Sequence, residues 1–312
     1  MIIIRPCDVE ATSLEPCAEV IELGAYDIRD GHLYTTGYHS LVKPAAPIPP
    51  NSSAVHHLTD ADVADAPPWN VAWRRLVEID PEYDGAEIVF AAHAAAYERQ
   101  FLDTLIKARW ICSWKCAHRQ WPDLDGYKLQ ELRYALNLPA DPMFAMPPHR
   151  ALPDAYVCGL LVLELLKHQT VETLVAWSAE PAVFTKFDFG KFNGQPLSAA
   201  DDGFLNWMLG KDFSEDWLWN VRRELERRAG AAAAKAAADR QSYLNHSLTA
   251  LAAAASVRDL ENWFMGQSDT WAKHGIVVDS EEYGKIVAAC RSRKKALQEA
   301  GEPQFEPAGT ST

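Results

Sequence analysis

The residues with chemistry to offer begin at the eighth position. Asp8-Val9-Glu10 follows an apolar opening, Met1-Ile2-Ile3-Ile4, that reads as the first strand of a buried sheet. Alternation along a strand turns Asp8 and Glu10 to one face and Val9 to the other. Two carboxylates side by side repel each other unless a cation lies between them or one takes up a proton. An isolated Asp-x-Glu is commonly no more than an exposed strand end. Here acids recur at two later places, Glu98 and Asp154, each at the end of an expected element, and His149 precedes the second of them. That is the setting a shared metal site requires, and metal-assisted chemistry is the expectation.

The elements that must position these groups alternate in type. Residues 19–28 and 32–42 read as a second and third strand joined at Asp30-Gly31, which makes an antiparallel meander. The Pro-rich run 44–50 leaves the sheet as a loop. Residues 51–68 carry His56, His57 and the helix-start pattern Thr59-Asp60-Ala61-Asp62. A helix is expected over 69–79, a short apolar strand over 87–92, and a helix over 95–107 with Tyr97, Phe101, Leu102 and Leu105 on its buried side. A strand at 110–112, helices near 114–120 and 128–136, and a strongly apolar helix over 152–166 follow. Pro153 suits a first helical turn, so His149 belongs to the loop before it, free to swing. Antiparallel strands followed by strand–helix units imply a mixed α/β sheet covered by helices.

Composition bounds the partners. The chain has 312 residues, 48% of them hydrophobic, enough for one substantial domain and a smaller one. No apolar run approaches the roughly 18 residues that cross a bilayer, and the N-terminus lacks a secretory pattern, so no membrane is expected. Six scattered cysteines in a chain of this length point to a reduced, cytoplasmic protein. A net charge of −13 argues against nonspecific coating of nucleic acid, though not against gripping a chain end through metal ions and a local basic lip.

Three ordered segments then resemble a known family. Asp8-Val9-Glu10, Ala92-His93-Ala94-Ala95-Ala96-Tyr97-Glu98 and His149-Arg150-Ala151-Leu152-Pro153-Asp154 look like the three exonuclease motifs of the DEDD superfamily, in its His-bearing, DnaQ-like branch. Within that branch the chain is most similar to the bacterial exonuclease X group, through Val55-His56-His57-Leu58-Thr59, Trp110-Ile111-Cys112, Arg119-Gln120-Trp121-Pro122 and Phe189-Gly190-Lys191-Phe192-Asn193-Gly194. Three motifs in order are a strong signal where each alone is weak. The resemblance implies a ribonuclease H-like, five-stranded mixed sheet flanked by helices, with a smaller α+β or helical C-terminal module. It also implies hydrolysis of phosphodiesters with two Mg²⁺ or Mn²⁺ ions, hard cations that suit carboxylates. By the same resemblance Asp8 bridges the two ions, Glu10 and Asp154 complete one, Glu98 serves the other, and His149 is the general base. Val9, Thr12, Ser13, Leu14 and His56 fall at substrate-contacting positions: Leu14 as a wedge beside the terminal base, the backbone near Thr12 at the terminal sugar, His56 near the terminal nucleotide. Two positions depart from the pattern, which ordinarily has Asp at Glu98 and Asn at Ala94.

The remaining candidates have bland readings beside them. Cys112, Cys116 and His118 lack a fourth ligand at zinc spacing and are read as buried small side chains. Lys107, Arg109, Lys115, Arg119, Lys128 and Arg133 form either a positive lip or solvated helix faces. Residues 184–192 alternate, Asn193-Gly194 reads as a primed hairpin turn, and Trp207, Trp217 and Trp219 follow in helices, giving an accessory module with Lys191 as a phosphate contact. Residues 225–257 are Ala-rich and helix-prone, and Trp263, Phe264 and Trp271 imply that the extension packs on something. The boundaries expected are a nuclease domain at 1–172, the module at 181–228, a helical extension at 229–300 and a loose tail at 301–312.

The function these residues imply is a 3′→5′ exodeoxyribonuclease that releases 5′-mononucleotides from DNA ends, single strands favoured. The same chemistry on RNA is the first alternative. The second is a nucleic-acid end-binding protein whose cleavage is weakened by the altered second motif.

Overall fold

The computed structural model describes residues 1–15 and 17–301, and the chain divides into two compact units at Arg222/Arg223. The first unit opens with β1 (Ile2–Ala11), β2 (Val20–Arg29) and β3 (His32–Leu41). After them come the short helices α1 (Pro50–His56), α2 (Asp60–Val63) and α3 (Trp69–Ala72), then β4 (Glu87–Ala92), α4 (Ala96–Leu102) and β5 (Arg109–Cys112). Helices α5 (Ser113–Gln120), α6 (Leu129–Ala135), α7 (Pro142–Ala145), α8 (Ala151–Leu166), α9 (Val171–Ala179) and α10 (Asp202–Leu209) follow. The strands form one sheet in the order β3-β2-β1-β4-β5. β1 pairs antiparallel with β2 and parallel with β4, and β4 is parallel to β5. This is the five-stranded, ribonuclease H-like arrangement that the motifs imply.

Alternation along β1 explains why the sheet is covered on both faces. Ile4 joins Val89, Ile111, Leu161, Val162 and Leu165 in one apolar cluster, under α8. Cys7 and Val9 point the other way, into a cluster with Leu23, Leu76, Phe90, Leu102 and Trp110. Each fully buried Leu or Val there contributes roughly 1.5–3 kcal/mol. Because β1 and β4 are parallel, the ends of both strands, and whatever follows them, lie at one end of the sheet. Asp30 and Gly31, at φ +50° and +77°, make the tight turn between β2 and β3.

Several expectations are corrected. The helix expected over 95–107 ends at Leu102, so Leu105 is exposed rather than buried. The helix expected over 69–79 is one α-turn followed by a 3₁₀ segment, Trp73–Val77. The Pro-rich run does not end in loop: Pro50 begins α1, a place where proline's missing N–H is no loss. The turn at Asn193-Gly194 is not of the primed type. Asn193 has φ −47° and Gly194 φ +74°, with the Gln195 N–H on the Phe192 carbonyl at 2.8 Å, which is a type II turn.

Helix α11 (Glu215–Ala253) begins in the first unit and continues into the second. The second unit also holds α12 (Val257–Met265), α13 (Ser268–Lys273) and α14 (Glu281–Gly301). Leu244, Leu251, Leu260, Trp271, Ile276 and Ile286 form its core, with Trp263 and Phe264 against Trp271. Beyond Gly301 the tail expected at 301–312 lies outside the described residues. Among the described residues no helix is long and apolar enough to cross a membrane.

Candidate active site

Three of the four expected acids meet. Donor oxygens of Asp8, Glu10 and Asp154 all lie within 4.8 Å of one another. Strand alternation brings the first two to the α8 face of β1, and the first turn of α8 supplies the third. Asp154 is held from two sides: its Oδ2 accepts the His149 backbone N–H at 2.8 Å, and its Oδ1 accepts the Gln130 amide at 3.0 Å. Glu98, in the first turn of α4, stands outside that triad. It is 2% exposed and its Oε2 has no hydrogen-bond partner. A buried carboxylate oxygen without a donor is costly to leave unmatched.

The electrostatics agree. Burial, then the charges of Glu98, Glu10 and Asp154, push Asp8 well above the usual carboxylate range. Burial, then Asp154 and Glu22, push Glu10 up to about 8, and burial with Glu10 nearby pushes Glu98 up to about 8. Asp154 is raised by burial, an effect reduced by its bonds from His149 and Gln130. Burial raises all four acids, and neighbouring carboxylates raise Asp8, Glu10 and Glu98 further, which is the signature of a site that accepts positive charge. An all-oxygen set with an unmatched buried carboxylate fits hard divalent cations, which Asp8, Glu10, Asp154 and Glu98 would hold.

Glu22 is the residue that sequence reasoning missed. It lies directly opposite Glu10 in the β1–β2 register and is 1% exposed. Arg150 grips it with a fork, Nε to Oε2 at 2.9 Å and Nη2 to Oε1 at 2.6 Å; the Ala151 N–H donates at 3.0 Å, and His39 Nε2 lies 2.6 Å from Oε1. Burial alone would raise its pKa. The bonds from His39 and Arg150 override that and hold it down near about 2. The only signals available were an acid inside an otherwise apolar strand segment and an Arg beside His149, neither of which points to the other in the sequence.

The other expected residues are placed as follows. His149 is exposed on the loop before α8, with φ +59°. His56 belongs to α1 rather than to a loop and is 1% exposed. Its Nδ1 accepts the Leu58 N–H, so the neutral ring carries its proton on Nε2, which is buried without a partner. Burial lowers its pKa, keeping it neutral. Leu14 is 85% exposed, Val9 is buried, and Ser13 presents its carbonyl to the Tyr97 hydroxyl at 2.9 Å. The Thr12 N–H does not face a ligand; it bonds the Glu19 carbonyl, while Ser52 bonds the Thr12 carbonyl. Ala94 has φ +59°, a left-handed conformation that the family's Asn tolerates better.

The basic stretch is largely engaged within the fold. Arg109 pairs with Glu87, Lys115 with Asp216, Arg119 with Glu180 and Lys128 with Glu131, and Arg133 is buried against Gln130 and the Ala145 carbonyl. Cys112 and Cys116 are buried free thiols. Lys191 lies over the Phe192 and Phe204 rings at 4.7 and 5.0 Å.

Comparison with known proteins bears on the whole arrangement. The family model described as "Exonuclease" matches residues 7–161, which include Asp8, Glu10, Glu22, Glu98 and Asp154. "Exodeoxyribonuclease 10" of Escherichia coli strain K12 is 32% identical over 213 residues, 66% of this chain and 90% of that protein. "DNA polymerase III PolC-type" of Thermotoga petrophila is 29% identical over 165 residues, 51% of this chain and 12% of that one. A solved structure, "Exonuclease X in complex with 5' overhanging duplex DNA", is 29% identical and covers 57% of this chain and 99% of that one, with a TM-score of 0.47. Nine-tenths of a relative aligned at this identity, across the segments that carry the clustered acids, makes this chain a member of the DEDDh exonuclease family, whose enzymes are metal-dependent nucleases.

Proposed function

We propose that the chain is a 3′→5′ exodeoxyribonuclease that hydrolyses the terminal phosphodiester of DNA by a two-metal mechanism, favours single-stranded ends and releases 5′-mononucleotides. The observation that carries the reading is the convergence of Asp8, Glu10 and Asp154 within 4.8 Å, with the unmatched Glu98 beside them. Mg²⁺ or Mn²⁺ held by these carboxylates would neutralise the scissile phosphate and make water a better nucleophile.

This chain's own groups do the rest. His149, on an exposed loop tied to Asp154 through its backbone, takes the proton from the attacking water at a ring nitrogen. Gln130 keeps the Asp154 carboxylate from rotating. The orphaned His56 Nε2–H donates to an oxygen of the terminal nucleotide. Exposed Leu14 lies beside the terminal base, on a turn that Tyr97 fixes through Ser13. With the Thr12 N–H engaged by Glu19, backbone contact to the terminal sugar falls to Ser13 and Leu14, and Val9 serves as the buried strand residue between the two acids.

Two observations favour a second reading. The second motif carries Glu98 and Ala94 where the family pattern has Asp and Asn, and the net charge is −13, so an end-binding protein with weakened cleavage is the rival. The test is incubation with 5′-labelled single-stranded DNA, duplex DNA and RNA, in Mg²⁺ or chelator, beside Asp8→Ala. A metal-dependent ladder on DNA, missing from the variant, supports the exodeoxyribonuclease. A stronger ladder on RNA moves the substrate to the ribonucleotide alternative, and retention without shortening supports the end-binding one.

A further inference from the structure

We infer that Glu22 is a positioning residue for the catalytic loop: it seats residues 149–151 against β2 and so sets where His149 stands relative to the carboxylates, which keep their own places. The inference rests on the function proposed above. Three observations carry it.

First, Glu22 faces Glu10 in the strand register, yet its oxygens are already taken by the Arg150 fork, the Ala151 N–H and His39. A carboxylate with both oxygens engaged by donors is ill suited to hold a cation, so it is not a fifth metal ligand. Second, Arg150 occupies the N-cap of α8 with no side-chain cap bond of its own. The first free N–H of the helix, that of Ala151, is satisfied by Glu22 from another strand. The start of α8 is therefore fixed from β2. Third, the residues on either side of this anchor are those proposed for chemistry. His149 adopts φ +59° and gives its N–H to Asp154, and among the described residues no hydrogen bond holds its ring. The ring position thus follows from the backbone, and the backbone is held at Arg150 and Ala151.

The consequence is mechanical. Without Glu22, Arg150 and the Ala151 N–H lose a common acceptor, and the loop relaxes while the carboxylates remain. Displacement of a reacting group by about 1 Å costs on the order of 10²-fold in rate.

The test uses the full chain with Glu22→Gln, Arg150→Met and the double variant, which removes both charges of the pair together and so leaves neither unpaired. The expected result is a kcat lower by roughly 10–100-fold in each, with KM for a labelled oligonucleotide within about threefold. Residues that act as a unit do not add, so the double variant should be no slower than the worse single one. Arg150→Lys, which keeps the charge and loses the fork, should recover only part of the loss. Binding of Mn²⁺ alone, measured by titration calorimetry, should stay within about threefold of the parent in Glu22→Gln and fall at least about tenfold in Asp154→Asn. Amide exchange over residues 147–153, without substrate, should quicken by about tenfold in Glu22→Gln. Unchanged kcat, multiplicative losses in the double variant, or exchange equal to the parent overturns the inference; loss of Mn²⁺ equal to that in Asp154→Asn makes Glu22 a ligand and overturns it too. A parent chain that cleaves nothing defeats the proposed function instead, and the exchange measurement still decides the seat.

Discussion

Glu10 and Glu22 face each other across neighbouring strands, yet their environments drive them in opposite directions, one up to about 8 and the other down to about 2. Register alone sets two acids side by side. What separates them is that Glu22 receives His39, Arg150 and a backbone N–H, whereas Glu10 is raised by burial first and then by the fields of Asp154 and Glu22. One carboxylate has become structure and the other has been left wanting a cation.

That contrast yields a pH prediction for the metal-free chain. Glu10 and Glu98 have folded values raised from 4.5 to about 8, so the folded state binds more protons than the unfolded state between those values. Their contribution to stability therefore falls as pH rises from about 4.5 through about 8. Glu22 runs the other way, with its contribution present above 4.5 and lost toward about 2. Tm in EDTA should decline from about pH 6.5 to pH 8.5, above the range in which buried His93 and His118, held down to about 4, add stability as pH rises, and millimolar Mn²⁺ should restore most of it at the upper end. A flat apo profile across that range would remove the cation-accepting account of the site.

Ala94 gives a prediction about backbone rather than charge. A non-glycine residue without a polar side chain at φ +59° costs about 1–2 kcal/mol, because its Cβ crowds the following carbonyl. Ala94→Asn, which restores the family's residue, and Ala94→Gly should each raise the unfolding free energy by roughly 0.5–1 kcal/mol in urea titrations. If Asn also raises kcat while Gly does not, its amide braces the second motif; equal kcat in both confines the effect to strain.

His56 separates a structural role from a binding one within a single ring. Asn at this position can still accept the Leu58 N–H near where Nδ1 does now, but it has nothing at the place of Nε2. His56→Asn should keep Tm within a few degrees and raise KM for DNA several-fold, since a neutral hydrogen bond to substrate is worth roughly 0.5–1.5 kcal/mol. A variant that unfolds early with unaltered KM would return His56 to the core.

The strands and the long helix were legible because each carries several repeats of one pattern: β1 and β2 are ten residues each, and α8 has sixteen. α1 and α7 were not, since four to seven residues hold scarcely two turns, and in α1 the leading prolines read as loop; of α2 the start at Thr59-Asp60 was legible but not the length. Leu105 was misassigned because apolar spacing continues past Leu102 after the helix has stopped. In the site, Asp8, Glu10 and Asp154 were visible as spaced acids near element ends. Glu22 was not, because one Glu in a strand looks the same whether it faces solvent or an Arg folded over it; only the register to Glu10 and the fold-back of residue 150 distinguish them.

Gly24 offers the sharpest test of how close β2 must come to the catalytic helix. It pairs with Asp8 in the register, and a Cβ placed on it would lie 2.4 Å from the Leu152 nitrogen and 2.5 Å from the Ala151 carbonyl carbon. Those are backbone atoms at the start of α8, so no side-chain rotation relieves the clash. Gly24→Ala must either push the first turn of α8 away, carrying Asp154 with it, or distort β2 beneath Asp8. Overpacking of this kind costs about 1–3 kcal/mol, and the movement should cut kcat by on the order of 10²-fold. Gly31→Ala is the control: its Cβ would meet nothing within 4 Å, so only the strain of its positive φ should register, with kcat unchanged. Equal losses of stability in the two variants, together with a large kcat loss in Gly24→Ala alone, would assign that effect to the contact between β2 and the helix that carries Asp154.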